Sequence, residues 1–198
     1  RMGQTFEPIN PDPGAVVIGH SQGGQGVLFA GELQQSYAPD ADLLGIIAVA
    51  PAGELKSLLG TASKSGATIG FVVMGAIGFQ TAYPELDLSK VLTASTIEKS
   101  SIIERGCLVS VVDAFKSDIN TTLSGDPTTL EPWASYLDVN SPGKTKTDVP
   151  VMFVHGFSDL TVPAFVSEKI YNADCALGTA TLRKTYSGAQ ADHNGVLT

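Results

Sequence analysis

The chain is poor in the residues that mark several large protein classes. Of 198 residues only two are cysteines, Cys107 and Cys175, and their spacing fits neither a CxxC redox motif nor a zinc site. Pairing with each other, or with cysteines of another chain, stays open. Twelve Lys and Arg stand against twenty Asp and Glu, a formal charge of -8. No basic cluster offsets that balance, so nucleic acid and anionic lipid headgroups are repelled. No long apolar run is present either. The longest, GATIGFVVMGAIGF at 66–79, falls short of the roughly 20 residues a membrane span needs. Its Gly66 and Gly70 stand in a GxxxG spacing, which is informative only inside a true span, so the run reads as a buried helix. Residues 1–12 are polar and proline-rich, unlike a signal peptide. Neither a repeat nor a low-complexity tract is seen.

What is present is enough apolar material for a core, at 43% hydrophobic residues, in a length that suits one domain or a core plus an insertion. Short β-branched or apolar runs at 15–18, 43–50, 150–155 and 180–186 read as strands. Helical spacing at 25–37 and 164–172 lies between them. Continuous apolar strands alternating with helices describe a parallel sheet covered on both faces. The pattern changes at 51–148, where Gly/Ser-rich connectors join the apolar run to helical patterns near 88–96, 102–115 and 133–137. That stretch reads as a helical insertion, with 1–50 and 149–198 forming the core.

The stretch AVVIGHSQGGQGVLFAG at 15–31 carries the strongest chemical signal. Gly19-His20-Ser21-Gln22-Gly23 matches G-x-S-x-G with a strand before it and a helix after it, the context of a nucleophile elbow. So sharp a turn predicts strain at Ser21 and no room for side chains at Gly19 and Gly23. It also aims the Gln22 N–H, at the helix N-terminus, towards a developing oxyanion.

An activated serine needs a base, and the base needs an orienting carboxylate. Only three histidines are available. His20 adjoins Ser21, so its ring projects away, and a packing or hydrogen-bonding role suits it. His155 ends a strand and reads as structural. The following loop, HGFSDLTVP, puts Asp159 beyond a strand end, where open α/β sheets build their sites. His193, in the loop after the last strand, completes the order Ser, Asp, His expected of an elbow fold. Asp174 and Asp192 are weaker choices for the acid, since neither sits at a predicted strand end.

Assembled, these stretches resemble the secretory lipase family of α/β-hydrolases, the group of Candida antarctica lipase A-like enzymes. GHSQGGQGVLFAGEL with YAPDADLLGIIAVAPAGEL is similar to the family's elbow, helix and next strand. TAYPELDLSKVLT is similar to its helical cap, while VPVMFVHGFSDLTVP and ADHNG match its acid and histidine loops. The SYAPDADLLG stretch is the most family-specific sign. The resemblance implies an α/β fold, the C-terminal half of an α/β-hydrolase parallel sheet with a helical cap or lid inserted. It implies a secreted, extracellular serine carboxylester hydrolase acting on lipid esters of the triacylglycerol type, with Ser21, Asp159 and His193 as triad and no metal or cofactor. An acyl pocket would draw on Phe71, Val72, Met74, Ile77 and Phe79, residues that plain core packing would also use. Short-chain esterase, acyltransferase or peptidase chemistry would use the same triad, and a non-catalytic module binding an apolar ligand or partner is the rival of another class.

The departure is the missing front half. Strands that precede the elbow in this fold, with the loop giving the second oxyanion donor, have no counterpart here. The elbow strand would be an exposed edge, so a complementary N-terminal chain or segment is expected to complete the sheet. Interfacial contact with lipid is expected; a transmembrane segment is not.

Overall fold

The computed structural model describes residues 14–198. Four strands form one parallel sheet in the order β1 (Ala15–His20), β2 (Leu43–Val49), β3 (Val151–Gly156) and β4 (Thr181–Tyr186). Register is set by apolar pairs across the centre, Ile18 opposite Ile47 and Ala48 opposite Phe153. Helix α1 (Gln22–Tyr37) connects β1 to β2, and a later helix, Ala164–Leu177, connects β3 to β4.

Both crossovers advance in the same direction along the sheet. One handedness then sets both helices on one face. Leu28 of α1 and Ile170 of the later helix share a single buried cluster with Ile46, Ala48, Val151 and Phe153. The expectation of cover on both faces is therefore corrected for the described residues. Val16, Ile18, Leu44 and Leu182 stand 53–65% exposed, and Val16, Leu44 and Leu182 line a shallow groove with Ile47 and Met152.

Between β2 and β3 the chain builds a separate compact unit, Glu54–Ser141, against the expected 51–148. It contains α2 (Leu55–Ala62), α3 (Ile69–Ala82), α4 (Ala94–Lys99), α5 (Ile102–Arg105), α6 (Leu108–Phe115) and α7 (Trp133–Val139). Its core joins Ile69, Val72 and Val73 of α3 to Leu86, Val91, Leu92, Val111, Phe115 and Trp133. One helix expected over 102–115 is two, because Gly106 and Cys107 take extended backbone between α5 and α6. The helix Ala164–Leu177, α8, runs past the expected residue 172 and stops where Gly178 turns left-handed at φ 82°, a conformation glycine adopts without steric cost. Among the described residues no helix is long and apolar enough to cross a membrane.

Candidate active site

The elbow is built by backbone. Ser21 has φ 57° and ψ -119°, a region that costs a non-glycine residue roughly 1–3 kcal/mol unless its surroundings enforce it. They do. The Ser21 N–H donates to the Val49 carbonyl at 2.9 Å, and its own carbonyl accepts from Ala52 N–H at 3.0 Å and Gln25 N–H at 3.2 Å. Because one residue absorbs the whole reversal, α1 starts at Gln22 rather than at the expected Gln25. Gln22 N–H is thus the first orphan donor of a 16-residue helix, suited to an anionic oxygen.

The two elbow glycines differ. A Cβ on Gly19 would lie 2.0 Å from the Gly23 carbonyl oxygen, whereas one on Gly23 would meet nothing within 4 Å. The expected crowding at Gly23 is corrected. It belongs to Gly24, where a Cβ would come 2.9 Å from Pro51 Cα, since the helix turns that position towards the chain leaving β2.

The acid loop follows β3. Asp159 is 3% exposed, and its Oδ1 accepts from the N–H groups of Thr161 at 2.9 Å and Val162 at 2.8 Å. Its Oδ2 lies 2.7 Å from His193 Nδ1 and 3.2 Å from His155 Nε2. Burial pulls this carboxyl upward, but hydrogen bonds from His155, His193 and the Val162 N–H outweigh it and hold the group well below the usual carboxylate range. Asp159 is therefore an anion at neutral pH, and His193 Nδ1 donates to it. That tautomer leaves His193 Nε2 as the basic nitrogen.

The histidine loop is tied down on both sides. Ser158 N–H donates to the Ala191 carbonyl at 3.1 Å, and Ser158 Oγ donates to Gly188 at 2.8 Å. His20 Nε2–H donates to the His193 carbonyl at 2.7 Å, and the two rings lie tilted at 42° with centroids 4.6 Å apart. Residue 193 is thereby held against the residue preceding Ser21. Among the described residues the Ser21 hydroxyl and the His193 ring are not hydrogen-bonded, a contact that commonly tightens only with substrate bound.

Asp192 Oδ1 caps Asn194 and Gly195 N–H groups at 3.0 and 2.7 Å. Asp174 is buried in α8, where desolvation and the Glu32 charge push it up to about 7. Of the proposed pocket residues, Val72 is closed into the helical core at 3% exposure, while Met74, Ile77 and Phe79 pack against that core partly covered. Phe71 alone of the five counts among the exposed large apolar side chains, at 38%. The described residues hold no group of His, Cys, Asp or Glu that would bind a metal.

The profile of the secretory lipases matches residues 2–193. The chain belongs to that family. It is 25% identical to a secreted triacylglycerol lipase of Malassezia globosa over 98% of this chain and 45% of that protein. It is 28% identical to lipase 5 of Candida albicans, over 88% and 40% respectively. Candida antarctica lipase A shares the fold with a TM-score of 0.79 at 22% identity, over 93% of this chain and 45% of that one. A rice cell wall degrading esterase of Xanthomonas oryzae does so at 0.77 and 14% identity, over 93% and 55%. The secretory lipase chain thus spans less than half the length of the curated relatives it matches. The α/β-hydrolase fold is shared over the C-terminal half of the sheet.

The partners of two histidines were not legible in the sequence. His155 reaches Asp159, and His20 holds the histidine loop. The i, i+4 spacing of His155 and Asp159 around a strand end was the available signal for the first. The second joins positions 173 residues apart and left no local trace.

Proposed function

We propose that this chain carries the catalytic half of a secreted serine carboxylester hydrolase acting on lipid esters. The observation that carries the reading is the 2.7 Å His193–Asp159 bond in the same sheet unit as a serine strained at φ 57°. His193 Nε2 takes the Ser21 proton as the hydroxyl oxygen attacks the ester carbonyl, and Asp159 stabilises the imidazolium. Gln22 N–H receives the oxyanion. The protonated His193 then returns its proton to the leaving alcohol. Water repeats the cycle on the acyl-enzyme. The chemistry is complete without a cofactor.

Lipid esters are the proposed substrates because relatives matched over 98% and 88% of this chain are named triacylglycerol lipases, and their description as secreted supports an extracellular site of action. Phe71, the one exposed side chain of the five candidates on α3, is the proposed acyl contact. A complementary N-terminal segment is proposed to complete the sheet. Among the described residues β1 pairs only with β2, one sheet face is uncovered, and the matched relatives are more than twice as long. That segment would supply the second oxyanion donor.

The test is labelling by a fluorophosphonate probe together with a ladder of p-nitrophenyl esters. Ser21→Ala is expected to abolish labelling and lower turnover by at least about 10³-fold. Turnover retained in that variant would refute the assignment. Preference for acyl chains of about eight carbons or more is the lipase outcome. A maximum at acetate would make the protein a short-chain esterase.

A further inference from the structure

His155 is a second histidine on the Asp159 carboxylate, and it is fully buried. Its ring joins three pieces of chain. Nε2 lies 2.8 Å from the Val162 carbonyl and 3.2 Å from Asp159 Oδ2, and Nδ1 lies 2.7 Å from Ser167 Oγ on α8. A carbonyl can only accept, so Nε2 carries a proton, and that proton is shared with Asp159. Ser167 Oγ has another acceptor, the Ala164 carbonyl at 3.0 Å, but one proton to give. Given to His155, it leaves the ring neutral; given to Ala164, it requires His155 to donate from both nitrogens. In either state the Nε2 proton stays between Val162 and Asp159.

We infer that His155 is a positioning residue, whose Nε2–H ties Asp159 Oδ2 to the Val162 carbonyl and keeps that oxygen in line with His193. The inference rests on the relay proposed above. Both edges of the carboxylate are held, Oδ1 by the two loop N–H groups and Oδ2 by the two rings. Without His155, Oδ2 keeps a single side-chain donor and can swing about the two bonds that hold Oδ1. Its charge then falls more fully on His193, which favours the imidazolium and protonates the base at higher pH. Among the described residues the titratable groups facing the pair are His155 from β3 and His20 from β1, the latter's ring against that of His193; α8 presents the Ser167 hydroxyl.

A histidine kept only for packing would be replaceable by a similar volume without touching His193. The protein in its ester-hydrolysing form is therefore compared with His155→Leu, His155→Gln and Ser167→Ala. His155→Leu is expected to lower kcat by about tenfold to a hundredfold with little change in KM. The acid limb of its kcat/KM profile moves upward, and the downfield proton NMR signal of His193 Nδ1–H shifts. His155→Gln restores an N–H at the same end and returns the limb towards its original position, while Ser167→Ala shifts it less, in the same direction. A folded His155→Leu with limb and NMR signal unmoved overturns the inference; if that variant does not fold, an unmoved Ser167→Ala does so. The NMR signal needs no turnover. An inactive parent protein would thus sink the hydrolase reading while this question kept its own answer.

Discussion

The two compact units differ in what they bury. In the sheet unit the buried polar side chains include His155, Asp159, Ser167 and Asp174, three of them titratable, and bonds join His155 to α8 and Asp159 to the loop of His193. In the helical unit they are hydroxyls, Thr68, Thr96, Thr122 and Ser141. Each of these is satisfied by a main-chain carbonyl, such as Thr68 Oγ1 on Ala62 at 2.7 Å and Ser141 Oγ on Leu137 at 2.8 Å. A buried hydroxyl with a carbonyl partner costs little. A buried carboxylate does not persist without dedicated donors. The contrast teaches that the sheet unit is organised around charge and the helical unit around volume, so substitutions should separate chemistry from stability.

The largest effect is expected at the carboxylate. Asp159→Asn removes the charge that holds His193, and kcat should fall about 10⁴-fold while circular dichroism still reports a folded chain. Equal loss of folding and turnover would break the contrast. Next comes the helical core. Phe115 is fully buried, and Phe115→Ala should cost about 3–5 kcal/mol. The single tryptophan of the sequence, Trp133, lies in that core, so its fluorescence in a denaturant titration reads the change directly.

A smaller effect is expected at Asp174. Its carboxyl, raised from 3.8 to about 7, binds a proton in the folded state that the unfolded chain has already released. Its contribution is therefore present below about pH 4 and lost as pH rises through about 7. Asp174→Asn should flatten that decline, by about 1–3 kcal/mol at pH 8 given roughly 1.36 kcal/mol per pKa unit. Thermal melts between pH 4 and 8 check it. Asp159, depressed, contributes in the opposite sense: its share is present above about pH 4 and lost as pH falls. The smallest effect is relief of strain. Ser21→Gly, at φ 57°, should stabilise the fold by about 1 kcal/mol in the same experiment that records loss of ester hydrolysis. A destabilised Ser21→Gly would show that the serine side chain, not the backbone turn, holds the elbow.

Much of this was legible along the chain because the determinants are local. The β-branched run before Gly19 and the helical spacing after Gln22 place a sharp strand–helix turn, and Gly19 is demanded by a neighbour only four residues away. The loop position of Asp159 follows from the strand that precedes it. Contacts across the fold leave no such pattern. That Gly24, not Gly23, is the crowded glycine depends on Pro51, and cover on one sheet face depends on where two helices land.

By itself the sequence determined which residue types stand at strand ends and which segments alternate as strand and helix, since both follow from periodicity and backbone sterics within a few residues. Only the tertiary structure decided that Asp159 serves two histidines, that His20 braces the loop of His193, and that Val72 belongs to a core rather than a pocket. Those outcomes depend on distances between segments far apart in the chain, and no local preference encodes a distance of that kind.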